Sequence, residues 1–429
     1  MKKTIHENVN ETIYSKTLQN GLPVFLLPRN KMSKTFAIFT TNYGSIDRSF
    51  IPLNGENKIT VPDGVAHFLE HKLFEKEDRD VFADFGKLGA SPNAYTSFTK
   101  TAYLFSATNH IKENVEILLD FVQSPYFSDD SVEKEKGIIE QEIKMYEDQA
   151  ENRSFMGTLG AMFKHHPVNI DIAGTVSSIY QITKEDLYTC YETFYHPSNM
   201  TLFIIGNFDP HAMMEMIEEN QKKKTFQKRQ DIQRFFPDEP RHVAKSEYRI
   251  QMPVSRPRMT IGIKESVDRL YGDEYLKKDL LQSMIVDYFF SRGGKFYQKL
   301  YQDRLINKSF FFSPSLERNY GYTLIGSNTD KPEQFRETLM ELLTGTNNYQ
   351  FSEEEVSLMK RKRIGKMLKQ MNSLEYIANE FTHYHMLGID FFDIMPRVHS
   401  LTTDDFNEFI SEWISEDKLT SCLISSENK

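Results

Sequence analysis

The chain has 429 residues, 39% of them hydrophobic and 26% charged, which excludes a disordered or fibrous protein and gives length enough for two or three domains. A net charge of −9, with Lys and Arg mostly interleaved among Asp and Glu, argues against nucleic acid as a partner, since a phosphate binder needs a net basic face. The two cysteines, Cys190 and Cys422, form neither a disulfide framework nor a CxxC metal pair.

Met1 to Asn8 carries Lys2 and Lys3 but no apolar run behind them, so no signal peptide is expected. No window approaches ~18 uninterrupted apolar residues, so no membrane span is expected and cytoplasmic residence is the default. Val24 to Leu27 and Phe36 to Thr41 read as strands. Pro62-Asp63-Gly64-Val65-Ala66 then opens a helix, with Asp63 as its candidate cap. On that helix His67 and His71 stand four positions apart, which places both imidazoles on one face at a separation that suits a single metal ion. Glu70 flanks the same face and suits proton transfer to and from a water held there.

A second helix starts near Asp130, where Asp130 and Glu133 resemble a capping box. It offers two carboxylate pairs at seven-residue spacing, Glu135 with Glu142 and Glu140 with Glu147, on different stripes. Spacing does not choose between them, and either also fits a solvated acidic face.

The chain carries an internal repeat. Phe127-Ser128-Asp129-Asp130-Ser131-Val132 recurs as Phe351-Ser352-Glu353-Glu354-Glu355-Val356, and Thr183-Lys184-Glu185-Asp186-Leu187 as Thr402-Thr403-Asp404-Asp405-Phe406, in the same order and at nearly the same offset. A polar, proline-containing stretch separates the copies. The expected organisation is therefore a first domain over 1–225, a linker over 226–249 and a second domain over 250–429. Each is expected to be an α/β sandwich with helices on one sheet face, an α+β fold with two similar tandem domains.

His67-Phe68-Leu69-Glu70-His71, the later Glu135 and Glu142, the stretch Leu88 to Ser97, the segment Thr183 to Phe194 and the repeat together resemble the pitrilysin/insulinase family of inverzincins. Within that family the chain is similar to half-size bacterial members related to the mitochondrial processing peptidase beta subunit. The resemblance implies one Zn2+ per chain, held by His67, His71 and Glu142, with Glu70 as general base and Glu135 orienting a ligand histidine. It implies that Asn93, Ala94, Tyr95 and Thr96 form a strand that pairs with the backbone of a peptide substrate. The implied activity is a zinc endopeptidase acting on short unfolded peptides in an enclosed chamber.

The second repeat lacks this chemistry. Its expected counterpart of the motif helix, around Gly294 to Leu300, has no histidine or carboxylate, and Met359 and Lys366 fall where Glu135 and Glu142 stand in the first. Active relatives supply an Arg and a Tyr from this half to hold the substrate carbonyl. Here Tyr301 stands at the Arg position and Asn307 to Phe310 surround the Tyr position, with Arg304 nearby and Arg292 with Tyr297 only a loose substitute. A homodimer, or a heterodimer with a second half-size subunit that contributes the Arg/Tyr pair, is therefore expected. The competing reading is a non-catalytic or partner-dependent subunit. A short zinc lyase with the same motif is disfavoured by the chain's length and by the lack of a cysteine near the motif. His165-His166 and His383-Tyr384-His385 lack ligand spacing and are expected to be structural or exposed. Phe310 to Phe312 is expected to be a core strand.

Overall fold

Thr35–Thr41 and Met200–Gly206 are buried at every position, so each strand must be covered on both faces. Both run in the middle of a seven-stranded sheet whose order from one edge is Lys2–His6, Glu11–Thr17, Pro23–Pro28, Met200–Gly206, Thr35–Thr41, Thr101–Ala107 and Ser91–Thr96. The computed structural model describes residues 1–53, 55–77, 79–228 and 231–426; Arg229 and Gln230 of the expected linker and 427–429 of the expected second domain lie outside the described residues.

A second, five-stranded sheet runs Glu247–Gln251, Leu419–Ser425, Arg258–Lys264, Gly321–Asn328 and Phe311–Leu316. It repeats the first in order and sense. Pro23–Pro28 pairs parallel with Met200–Gly206 as Glu247–Gln251 does with Leu419–Ser425, and the remaining pairs are antiparallel. The first sheet differs by the hairpin Lys2–Thr17 added at one edge. The fold is α+β and duplicated.

Two compact units form, and neither is continuous in sequence. One comprises residues 1–143, 170–236 and 370–386; the other comprises 144–169, 237–369 and 387–429. In the first unit Val24, Leu26, Ala37, Phe39, Leu202 and Ile204 point into a core shared with helices Val65–Leu73, Ile111–Val122 and Pro210–Lys222. Phe25 and Phe203 point the other way and pack on Phe381 of helix Leu374–Met386, with ring centroids 4.8 and 4.5 Å apart. The matching helix of the first half, Ala150–Met162, packs on the second unit's strands. A Cβ on its Gly157 would come within 2.7 Å of Ile250 Cδ1 and 3.0 Å of Cys422 Sγ, so glycine lets the helix close onto that sheet.

These features correct three expectations. Helices cover both faces of each sheet rather than one, because the central strands are apolar on both sides. Phe311–Leu316 is an edge strand, and Phe310 to Phe312 are only half-buried because no further strand lies beyond it among the described residues. The second unit's counterpart of the motif helix is Gly272–Phe290, which packs on edge strand Phe311–Leu316 as Val65–Leu73 packs on Ser91–Thr96. Gly294 to Leu300 belongs instead to the next helix, Lys295–Gln302, and the true counterpart does carry carboxylates, Asp273, Glu274, Asp279 and Asp287. Asp287 is ion-paired with Lys362 and lines one pocket with Met359 and Lys366.

Candidate metal and catalytic site

Helix Val65–Leu73 begins at Gly64, whose φ of 93° is left-handed backbone. A Cβ there would lie 2.5 Å from the carbonyl oxygen of Ala173. Asp63 does not cap the helix. Its carboxylate pairs with Arg48 at 2.9 Å, and its carbonyl accepts from Ser178 Oγ at 2.9 Å, so the loop is anchored by its neighbours rather than by its own side chain. Val65, Ala66, Phe68, Leu69 and Leu73 bury the inner face of the helix. His67, Glu70 and His71 are left on the face that turns toward helix Asp129–Glu147 and edge strand Ser91–Thr96.

Helix Asp129–Glu147 starts differently from the expectation as well. Ser131 N donates to Ser128 Oγ at 3.2 Å, and Glu133 pairs with Lys136 at 2.6 Å, so Ser128 rather than Asp130 caps it. Lys72, fully buried, donates to Ser131 O at 3.4 Å and ties the two helices together at this end.

His67, His71 and Glu142 each present one ligand atom, and these atoms lie within 4.8 Å of one another. Glu142 Oε2 is 3.7 Å from His67 Nε2 and 3.5 Å from His71 Nε2. His71 Nδ1 makes a 3.0 Å hydrogen bond with Glu135 Oε1, which leaves Nε2 as the nitrogen toward the cluster. Glu140, on the alternative stripe, accepts from Tyr180 Oη at 2.6 Å, and Glu147 is exposed. The structure thus brings Glu135 and Glu142, not Glu140 and Glu147, to the histidines. Two imidazoles and one carboxylate fit zinc in number and kind and leave a coordination position open.

Burial and the neighbouring His71 push the pKa of His67 down to about 3, so its ring is neutral and carries a lone pair for a metal. Burial pulls His71 down too, but the Glu135 hydrogen bond and the Glu70 and Glu142 carboxylates outweigh it and hold His71 above its usual range. Burial raises the Glu70 carboxyl, against the opposing effects of the Thr96 hydrogen bond and His71.

Strand Ser91–Thr96 ends the first sheet, so its outer edge has no strand partner among the described residues. Its side chains alternate. Ala94 packs on the core and Thr96 Oγ1 donates to Glu70 Oε2 at 2.7 Å, whereas Tyr95 Oη donates to Asn379 Oδ1 at 2.6 Å on the other face. Asn93 is exposed. Tyr95 is thereby committed to helix Leu374–Met386, and what the strand offers outward is its backbone edge. Asn379 escaped sequence reasoning: it lies on a helix remote in sequence, and no local pattern marks it. The remaining histidine pairs hold no ligand cluster among the described residues: His166 is buried against Tyr320, and His385 packs on Phe25.

The family described as Insulinase (Peptidase family M16) matches residues 60–176, and the Peptidase M16 inactive domain matches 181–363. The uncharacterized zinc protease YmfH of Bacillus subtilis (strain 168) is 45% identical over 424 residues, 99% of each chain. A putative M16-like peptidase from Alicyclobacillus acidocaldarius superposes with a TM-score of 0.93 at 40% identity, over 96% of this chain and 98% of that one. The probable mitochondrial-processing peptidase subunit beta of Arabidopsis thaliana is 26% identical over 161 residues, 36% of this chain and 30% of that protein. Matched across its whole length by a named zinc protease and across both repeats by the family's two domains, this chain belongs to the insulinase (pitrilysin, M16) peptidase family as a half-size member.

Proposed function

We propose that the chain is a cytoplasmic zinc endopeptidase that cleaves short unfolded peptides in an enclosed chamber. The observation that carries this reading is the convergence of His67, His71 and Glu142 within 4.8 Å, with Glu70 beside them and tied to the open edge strand. His67 Nε2, His71 Nε2 and a Glu142 oxygen would hold one zinc ion, with Glu135 orienting His71 from behind. Zinc there supplies a Lewis acid that lowers the pKa of water and polarises a scissile carbonyl.

The chain's own residues do the rest. An extended peptide adds to the outer edge of Ser91–Thr96 through backbone hydrogen bonds, a mode that tolerates varied side chains. Asn93, Ala94, Tyr95 and Thr96 supply that edge. Thr96 holds one oxygen of Glu70 and leaves Oε1 to take a proton from the attacking water and return it to the leaving amine.

The sequence offers no Arg/Tyr pair at the second unit's expected positions. The oxyanion is therefore stabilised by a partner, another half-size family subunit that carries the pair, and this favours a partner-dependent enzyme over one complete in a single chain. The test is cleavage of a quenched peptide by the wild type and Glu70→Gln, each alone and mixed with candidate subunits. Turnover by the wild type that rises with the partner and vanishes in Glu70→Gln supports the reading. Equal turnover by both proteins removes Glu70 from its role, and turnover indifferent to any partner removes the partner.

A further inference from the structure

Helices Lys184–Phe194 and Thr403–Trp413 are counterparts in the repeat. Each starts in a capping box, at Thr183 and Thr402, and each ends in an aromatic residue, Phe194 and Trp413. In the first unit a cation occupies the place beside that aromatic. The Arg234 guanidinium lies 5.3 Å from the Phe194 ring centre, pairs with Asp47 Oδ1 at 2.9 Å, and donates to the carbonyl of Asn42, the residue directly after strand Thr35–Thr41. In the second unit the residue directly after the matching strand Arg258–Lys264 is Glu265, whose Oε1 accepts from Trp413 Nε1 at 2.8 Å. Among the described residues, no arginine lines this place. It is a cavity of about 480 Å³.

Glu265 is only 7% exposed, yet it lines the cavity. Gln282 Nε2 also donates to Oε1, at 3.2 Å, so among the described residues Oε1 takes both hydrogen bonds and Oε2 takes none. Five carboxylates and three lysines form the wall. Each lysine is already engaged at the rim: Lys277 with Asp405 at 2.5 Å, Lys278 with the Ser266 carbonyl, and Lys418 with the Glu412 carbonyl at 3.2 Å. Burial holds the Glu265 carboxyl above its ordinary range, and Lys278, Trp413 and Lys418 offset this only in part, so its negative charge is incompletely compensated.

We propose that this cavity is a binding site for a small guanidinium compound, seated against Glu265 and Trp413 where the first unit seats its own Arg234. A guanidinium suits it because it brings a permanent positive charge and several N–H donors to the free Oε2 and the carboxylates beside it, and its plane packs on aromatic rings. The site is separate from the candidate metal site and does not depend on the peptidase reading.

Trp413 is the chain's single tryptophan, so its fluorescence reports the cavity directly. The test titrates the full chain with agmatine and, separately, with uncharged butylurea. Agmatine is expected to change the emission saturably and butylurea to leave it unchanged. Glu265→Gln is expected to weaken agmatine at least about tenfold, the order set by losing a charge-assisted hydrogen bond. Should Glu265→Gln fail to fold, the rim variant Glu408→Gln with Glu412→Gln is expected to weaken agmatine severalfold in a folded chain. No saturable response to agmatine, an equal response to butylurea, or unchanged affinity in the variant that folds overturns the assignment.

Discussion

Thr96 Oγ1 donates a 2.7 Å hydrogen bond to Oε2 of Glu70, so the last residue of the open edge strand also sets the orientation of the carboxylate on the motif helix. Thr96→Val keeps the volume and removes the side-chain donor. The variant is expected to lose about tenfold or more in kcat with its zinc content unchanged, because a general base out of position loses proton-transfer efficiency before it loses binding. Steady-state kinetics with metal analysis checks this. An unchanged kcat would show that the hydrogen bond has no part in turnover.

Glu135 touches no part of the ligand cluster except through the Nδ1 of His71. Glu135→Gln should therefore weaken zinc by about 10–100-fold without abolishing binding, as removal of a group behind a ligand does elsewhere. Competition against a chelator of known affinity measures it. Full loss of metal would make Glu135 a direct ligand, and no loss would make it a bystander.

Gly64 holds the motif helix at its start with φ 93° and no room for a Cβ against Ala173. Gly64→Ala meets both penalties and is expected to cost about 1–3 kcal/mol. The denaturation midpoint of the metal-free chain reads the effect without interference from binding, and an unshifted midpoint contradicts it.

Much of the fold and the site could be read from the residues, and the failures have physical causes. The i,i+4 histidines and the repeated Phe-Ser and Thr-capped helix starts are local patterns, and local patterns survive into structure. The choice of Glu142 over Glu140 and Glu147 is decided by which stripe of the helix Ile139 and Ile143 bury, and so by tertiary packing. Asp63 looked like a cap, but Arg48 competes for it. The placement of Leu374–Met386 on the first sheet rests on Phe25, Phe203 and Phe381, contacts between remote segments that periodicity cannot register. The all-buried strands Thr35–Thr41 and Met200–Gly206 did carry a signal, since continuous apolar runs call for cover on both faces.

In the second unit Glu239 accepts from the backbone N–H groups of Lys164, His165 and His166 at 2.9, 2.7 and 2.8 Å, and from Lys264 Nζ at 2.5 Å. Burial pulls its carboxyl upward, but Lys264 and the three amides outweigh that and depress it. A depressed carboxyl adds stability that is whole above the ordinary value near ~4.3 and is lost as pH falls through the lower folded value. Glu239→Gln is expected to cost about 2 kcal/mol at neutral pH, and to flatten the acid loss of stability that the wild type shows below about pH 4. Parallel pH profiles from the two proteins would contradict this account.

The claim that His67, His71 and Glu142 hold a catalytic metal is tested most directly by elemental analysis of purified wild type and Glu142→Ala. About one zinc per wild-type chain, and little or none in the variant at the same free zinc, is the predicted result. A wild type without zinc, or a variant that retains all of it, would contradict the site.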